Sequence, residues 1–367
     1  MLKPTYEIPA LPPSGALETV AVMRALTRAS RALAELKGKA AAIPNQGILI
    51  DTLALQEARA SSAIENIVTT QDEVFRADLF PAGPSSPAAK EVAQYREALR
   101  LGYHRLGSTQ GLITNATLIA MFRLLKSRDD GFRSVPGTAL IDEADRSLVY
   151  VPPQDRASIE GHMAALERFI NDDALCDLDP LIKMALIHHQ FESIHPFPDG
   201  NGRIGRILNV LYLTRAGLLD IPILYLSRHI TRNKPAYYRL LQAVRDTGAW
   251  EDWVLYMLDA VTGTAITTLM LVESIRTQMA EVKHRMREEL PSLYSQDLLN
   301  NMFRHPYTRI AYVQRDLGLK ARQTAAAYLE QLAARGFLEK HRTGRHSYYV
   351  NVKLFRLFSG LDDERAG

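Results

Sequence analysis

Residues 195–206 read His-Pro-Phe-Pro-Asp-Gly-Asn-Gly-Arg-Ile-Gly-Arg, a base, a carboxylate, small backbone-permissive residues and two arginines in one loop that opens a helix. Pro196 and Pro198 keep the chain extended and out of helix, and Phe197 between them is placed to anchor the loop in a core. Gly200, Asn201 and Gly202 tolerate positive φ and let the backbone approach a ligand closely. Their N–H groups, with the start of the helix, form an anion-binding nest with a favourable dipole. Arg203 and Arg206 lie one turn apart, so both guanidiniums can reach the same polyphosphate. At a helix start they oppose the dipole and call for a compensating anion. Asp199 alone would hold magnesium weakly, but one carboxylate with phosphate oxygens and waters is the usual arrangement for that ion. His195, at the mouth, can take a proton near neutral pH. The chemistry is that of a polyphosphate held beside an activated nucleophile.

Plainer readings stand beside this one. Asp-Gly-Asn-Gly is a common turn, in which Asp199 would be only a turn residue. Two arginines at helical spacing are often a solvated face. His188, His189 and His195 match no common zinc spacing, and the single cysteine, Cys176, does not join them. His188 and His189 read as helix residues supporting the fold.

The elements that must position the loop are mostly helical. Residues 4–13 form an extended, proline-rich arm. Apolar spacing of helical period runs over 17–36 and 51–65. Thr70 and Glu73 have the form of a capping box. Residues 81–87 read as a linking loop. Residues 138–140 and 148–151 flank an acidic turn at 142–145, which reads as a short β-hairpin. Asp179 and Pro180 read as N-cap and first residue of a helix leading to the loop. A second helix follows the loop with Ile204, Ile207, Leu208 and Leu211 on one face. Residues 250–290 are a long helical stretch with a candidate interruption at Gly263. Two helices, 307–317 and 321–335, then surround Gly318, and 338–350 reads as a basic hairpin with Thr343, Gly344 and Arg345 at its tip. That order is a winged helix-turn-helix pattern. The expected fold is mainly α: a helical core with a small β-hairpin, and a C-terminal winged helix-turn-helix domain. The expected division is 1–85, 86–290 and 291–367.

Composition sets outer limits. The 367 residues suffice for about two to three domains. With 47% hydrophobic and 23% charged residues the chain reads as an ordinary globular protein with a full core. A net charge of +3 carries no global polyanion-binding signature, so any basic surface is local. The lone Cys176 rules out an internal disulfide framework and fits a reducing compartment. The first ten residues lack the apolar region of a signal peptide, and no apolar stretch reads as long enough to cross a bilayer. A cytoplasmic protein without a membrane partner is the expectation.

At every specified position, 195–206 resembles the signature of the Fic family, His-x-Phe-x-Asp/Glu-Gly-Asn-Gly-Arg-x-x-Arg. The resemblance runs over about 17–290, with the N-terminal part similar to the separate N-terminal region of many Fic proteins. It implies AMP transfer from ATP, with Mg2+, to a Ser, Thr or Tyr hydroxyl of a protein target. By position it makes His195 the general base and Asp199 the magnesium ligand. Gly200, Asn201 and Gly202 become the anion hole, Arg203 a phosphate-binding arginine, and Arg206 the residue that holds the γ-phosphate. The hairpin, with Leu148, Val149 and Tyr150, resembles the flap that clamps a target segment by strand-like pairing. Tyr237 and Tyr238 sit where the family often has an aromatic pair near the base; packing on a short helix explains them equally well. Relatives that turn the nucleotide transfer a phosphate or another nucleotide, so the transferred group stays open. A homodimer is also implied.

Ser61, Glu65 and Asn66 complete a second resemblance. Ser61 and Glu65 are four apart and would share a helix face. An ordinary surface acid explains Glu65 as well, but the stretch resembles the Fic inhibitory motif Ser/Thr-x-x-x-Glu-Gly/Asn. It implies that Glu65 pairs with Arg206 and occupies the guanidinium meant for the γ-phosphate. A glutamate there could also help remove the modification. In the C-terminal module, Arg322, Lys340, His341, Arg342, Arg345 and His346 are candidates for DNA phosphate contacts. Winged helices serve equally as protein-docking modules. The rival reading of the whole chain is a nucleotide-responsive DNA-binding regulator, and intact His195 and Asp199 argue against it.

Overall fold

The computed structural model describes residues 6–80, 86–142, 145–343 and 346–363, with side chains to residue 359. The start of the proline-rich arm, most of the 81–87 loop, Glu143 and Ala144 in the hairpin turn, and Gly344 and Arg345 at the second hairpin tip lie outside the described residues. Down the chain run α1 (Val20–Ala41), α2 (Gly47–Ile64), α3 (Gln71–Leu79), α4 (Pro87–Ser108) and α5 (Asn115–Lys126). A hairpin of β1 (Leu140–Ile141) and β2 (Leu148–Tyr150) precedes α6 (Arg156–Asn171), α7 (Pro180–Ile194), α8 (Asn201–Arg215), α9 (Ser227–Arg232), α10 (Lys234–Thr247) and α11 (Trp250–Glu289). The C-terminal part holds α12 (Gln296–Arg304), β3 (Tyr307–Thr308), α13 (Ile310–Asp316), α14 (Arg322–Ala334), β4 (Glu339–Thr343), β5 (His346–Val350) and α15 (Val352–Asp363). The molecule is mainly α.

Two compact units group these elements. One gathers Met1–Lys37, Ala60–Ile67 and Gln94–Ile266; the other gathers Gly38–Arg59, Val68–Ala93 and Thr267–Gly367. The groups therefore differ from a linear division at residues 85/86 and 290/291, because long-range packing sorts the N-terminal helices between both.

In the first unit α7 and α8 form the buried centre. Asp179 caps α7 by accepting from the Leu181 N–H at 2.8 Å, with Pro180 at the first turn, where its missing N–H is harmless. Every side chain from Leu181 to Ile194 is buried. The helix stops at His195, which adopts the left-handed conformation and donates its N–H to the Phe191 carbonyl at 3.0 Å. Thr114 caps α5 and Asp155 caps α6 in the same way as Asp179. The β1–β2 hairpin is antiparallel, with Leu140 opposite Tyr150 and a bulge after it. Gln154 braces its base: Nε2 donates to the Thr138 carbonyl at 2.9 Å and to that of Pro152 at 2.6 Å, and Oε1 accepts from Gly137 at 2.7 Å.

In the second unit, α3 starts with the expected capping box. Thr70 accepts from the Glu73 N–H at 3.2 Å, and the Glu73 carboxylate takes the Thr69 hydroxyl at 2.7 Å and the Thr70 backbone N–H. Phe75 on α3 stacks on Tyr307, Tyr307 on Tyr348, and Tyr348 on His341, at centroid spacings of 5.4, 5.8 and 5.3 Å. Tyr307 also donates to Asp72 at 2.7 Å. These rings dock α3 on the three-stranded sheet, whose order is β3-β5-β4.

Three sequence expectations change. Tyr307 and Thr308 are a strand, not the start of a helix, because they pair with Val350 and Tyr349 of β5. The 250–290 stretch is one unbroken helix of 40 residues through Gly263. That helix is also long and apolar enough, by length and composition alone, to cross a membrane, with 44% of its apolar window buried in the protein. This corrects the reading that no stretch had such length. Buried positions along it include Trp253, Met257, Val261, Val272 and Ile275.

Candidate active site

The loop after α7 is cross-braced by its own side chains. Phe197 is fully buried and stacks on Phe122 with centroids 4.5 Å apart. The Asn201 side chain brackets Phe197: Oδ1 accepts from its N–H and Nδ2 donates to its carbonyl, each at 2.8 Å. Asn201 thus gives its amide to the loop and leaves its backbone at the helix start. Gly200 stands at φ 77°, and a Cβ there would press Leu125 at 3.2 Å. Gly202 answers a different demand. A Cβ on it would lie 2.5 Å from a Glu65 carboxylate oxygen and 2.8 Å from Arg206 Nη1. The Glu65 carboxylate therefore rests on the first turn of α8, where the helix dipole favours an anion.

Glu65 lies in the turn just past α2, so it follows the helix that carries Ser61. Its Oε1 accepts from Arg206 Nη2 at 2.8 Å. Ser61 adds two bonds to the same guanidinium, its hydroxyl accepting from Nε at 2.8 Å and its carbonyl from Nη2 at 3.0 Å. Arg206 is 4% exposed, so these bonds work largely out of water. Burial alone would raise the Glu65 carboxyl, but the charge and hydrogen bond of Arg206, with Arg203 and His195, hold it below the usual range. Asn66 adopts φ 59°, a conformation asparagine tolerates, and accepts from Lys234 at 3.2 Å.

Asp199 is half exposed at the loop mouth. Its Oδ2 lies 2.6 Å from Lys126 Nζ, at the end of α5, and its Oδ1 lies 3.6 Å from Arg203 Nη2. Burial would raise this carboxyl, yet Lys126 and then Arg203 hold it below its ordinary value, so it is ionised at neutral pH. That suits a single-carboxylate ligand for a nucleotide-bound magnesium ion. Among the described residues no group of three or more His, Cys, Asp or Glu is placed to hold a metal by itself.

His195 is partly exposed as a residue, in densely packed surroundings, and its buried ring Nδ1 has no hydrogen-bond partner among the described residues. Burial, then the charges of Arg133 and Arg245, push its imidazole down to about 4, against the pull of Glu65 and the Glu192 backbone. A neutral ring at pH 7 is the form that accepts a proton.

Several residues here carry no signal in the sequence. Arg133 and Lys126 come from loop and helix end far upstream. Arg245 donates to Ser193 Oγ at 3.1 Å and lies 4.1 Å over the Tyr150 ring. Glu192 is buried, and burial pushes its carboxyl up to about 7, against the charge of Arg206. Only its place in a wholly buried helix, three residues before His195, could have marked it.

Other expected site residues divide. Tyr237 is 1% exposed and hydrogen-bonds His188 Nε2 at 2.8 Å, so it is a core residue. Tyr238 is 45% exposed and presents its ring. His188 also meets Asn209 at 3.1 Å, so both its ring nitrogens have partners. His189 meets the Leu241 carbonyl at 3.2 Å, while its Nδ1 is buried without a partner among the described residues. On β2, Leu148 and Val149 are exposed, while Tyr150 is buried and donates to the Ser193 carbonyl at 2.8 Å. In the second unit Arg322 is exposed at the start of α14, Lys340 pairs with Glu330, and His341 pairs with Glu339 at 3.0 Å.

Residues 23–104 match the Fic/DOC family N-terminal model, and residues 113–213 match the Fic/DOC family model. Residues 278–354 match the model described as protein adenylyltransferase SoFic-like, C-terminal domain. The chain belongs to the Fic/DOC family. A 59-residue stretch is 42% identical to a probable protein adenylyltransferase of Aquifex aeolicus, over 16% of this chain and 18% of that protein. A 125-residue stretch is 30% identical to the protein adenylyltransferase Fic of Drosophila erecta, over 33% of this chain and 24% of that protein. The chain thus spans a quarter or less of these curated relatives. A crystal structure of a Fic family protein from Desulfovibrio desulfuricans shares the fold, with a TM-score of 0.58 at 19% identity, over 92% of this chain and 98% of that one.

Proposed function

We propose that the chain is a protein adenylyltransferase that transfers AMP from ATP to Ser, Thr or Tyr hydroxyls of target proteins and of itself, and that Glu65 holds it off by occupying Arg206. The observation that carries this reading is the 2.8 Å pair between Glu65 and Arg206, set on the first turn of α8 beside an intact His195 and Asp199. A carboxylate sits where the chemistry of the cradle calls for a phosphate. The names of the curated relatives, adenylyltransferases, support the same activity.

In the transfer, neutral His195 takes the proton of the target hydroxyl. The hydroxyl oxygen forms a bond to the α-phosphorus as the bond to the β-phosphate oxygen breaks, and pyrophosphate leaves. Arg203, Arg206 and the N–H groups of Gly200, Asn201 and Gly202 hold phosphate charge as it shifts to the leaving group. Asp199 would hold Mg2+, which when bound neutralises phosphate charge. Exposed Leu148 and Val149 offer the edge against which a target segment pairs. Tyr238 is the ring available to the base.

The same reading takes the C-terminal helices and hairpin as a winged helix, the protein as a cytoplasmic homodimer, and DNA as a candidate ligand of the wing. A salt-dependent mobility shift of duplex DNA by the full chain tests the last point. The central test uses Glu65→Gly protein with ATP labelled at the α- or the γ-phosphate. Label from the α position alone is expected. Label from the γ position alone would mean phosphate transfer, and none from either would favour a nucleotide sensor.

A further inference from the structure

The base of this site stands on a backbone that a histidine does not favour. His195 has φ 49° and ψ 58°, a left-handed conformation that costs a non-glycine residue about 1–2 kcal/mol. Much of what holds it there comes from Arg133. The Arg133 N–H donates to the Pro196 carbonyl and its Nε to the His195 carbonyl, both at 2.8 Å. Its Nη2 donates to the carbonyl of Pro153, three residues past the end of β2. Arg133 is 4% exposed, and among the described residues it pairs with no carboxylate; Nη1 is buried without a partner. A buried guanidinium normally sits in an ion pair, and leaving one among carbonyls is expensive. A neutral amide could brace two carbonyls without burying a charge, so the charge calls for a reason of its own.

We propose that Arg133 is a positioning residue for the base: its guanidinium ties the His195 carbonyl to the exit of the hairpin, so that the imidazole and a clamped target segment share one geometry. This rests on the transfer reading above. The hairpin is fastened to the same stretch of α7 a second time, through Tyr150 and Ser193. The charge has its own effect, since a cation beside His195 favours the neutral ring. The other groups facing that ring are Arg245 on α10, the Glu192 backbone one turn earlier on α7, and Glu65 from the inhibitory segment.

The test compares Glu65→Gly protein with the same protein carrying Arg133→Met or Arg133→Lys, following α-labelled AMP transfer against ATP concentration and pH. Arg133→Met is expected to lower kcat about 100-fold, the cost of a small misplacement of a reacting group. Its KM for ATP stays put, and the acid limb of its profile moves to higher pH, because the lost cation lets His195 hold a proton more tightly. Arg133→Lys, which keeps the charge but not the fork, loses kcat while its acid limb stays in place. Guanidinium ion added to Arg133→Ala restores turnover, whereas it does nothing for His195→Ala. Full kcat with an unmoved acid limb in folded Arg133→Met overturns the proposal, as does a rise in KM alone. If the Glu65→Gly parent transfers no label, the transfer reading fails by itself. The His195 ring is then titrated by NMR with and without Arg133→Met: an upward shift supports the positioning role, and no shift overturns it.

Discussion

The two segments that meet at Arg206 are built in opposite ways. The 195–206 loop is fixed from within: Phe197 stacks in the core, Asn201 brackets Phe197, and Arg133 grips the carbonyl of His195. The segment around Ser61 and Glu65 closes its turn with backbone bonds to Ser62 and Ala63, and its side-chain ties run outward. Ser61 and Ile64 are buried, but its polar ties run to Arg206, with lesser ones from Thr231 to Ala60 and from Lys234 to Asn66. None of those braces on the loop involves the Ser61–Glu65 segment. That segment contacts a guanidinium that, in the proposed transfer, ATP would also use. Under the proposed reading, the site could be switched by ligand competition for Arg206 without being rebuilt.

That contrast breaks most severely at the base. Replacing His195 with Ala in a Glu65→Gly background is expected to cut self-labelling about 1,000-fold while leaving ATP affinity near the parent value, since it removes proton transfer and not phosphate contacts. Labelling by α-labelled ATP, beside ATP binding by calorimetry, checks both halves. A residual rate within a few-fold of the parent would take the base role away from His195.

Breaking the other segment has the opposite sign. Glu65→Gly is expected to raise ATP affinity and self-labelling about 10- to 100-fold, the usual size of a coupling carried by one charge-assisted contact. Unchanged ATP binding and labelling would leave Glu65 a structural residue. Because the Glu65 carboxyl is held below its ordinary value, the pair is complete at neutral pH and is lost only as pH falls through that lowered value.

The pH profile sharpens the contrast further. His195 is pushed down to about 4, so it stays neutral on acidification until well below the range of an ordinary histidine. Glu65→Gly protein should keep its rate between pH 7.5 and 5.5, where a histidine of ordinary pKa, about 6.5, would have lost about 10-fold. Initial rates across that range, with far-UV circular dichroism to verify folding, provide the check. A 10-fold fall by pH 5.5 would mean that the packing around His195 does not act on its charge.

What the sequence made legible follows the same divide. Residues whose meaning lies in local spacing could be read, such as the Asp179–Pro180 cap. The contact of Glu65 with Arg206 was reached through a motif resemblance, and Glu65 lies in the turn after α2 and not on a shared helix face with Ser61. Residues whose meaning lies in a distant carbonyl could not be read. Arg133 sits in Gly-Phe-Arg-Ser, an unremarkable loop, and matters because the chain returns 62 residues later to place the His195 carbonyl beside it. β3 was hidden for the same reason, since two residues become a strand only when β5 arrives. Tyr237 and Tyr238 are adjacent and alike in sequence, yet packing buries one and exposes the other. In α11 the absence of a break at Gly263 reflects the packing of its neighbours, which outweighs a glycine's helix penalty of about 1 kcal/mol.

The smallest expected effect asks whether the blocker acts by its charge or by its docking. Ser61→Ala removes the hydroxyl that accepts from Arg206 Nε but leaves the Ser61 carbonyl and the Glu65 carboxylate in place. If competition by the carboxylate is what keeps ATP out, losing one hydrogen bond of about 1 kcal/mol should raise labelling only about 5-fold. Glu65→Gln is the companion measurement, because it keeps the size of the side chain while removing its charge. Should Ser61→Ala release as much activity as Glu65→Gly, the docking of the whole segment governs the switch. Should Glu65→Gln release nearly as much as Glu65→Gly while Ser61→Ala releases little, the carboxylate resting on the first turn of α8 is the brake, and it works as a stand-in for phosphate.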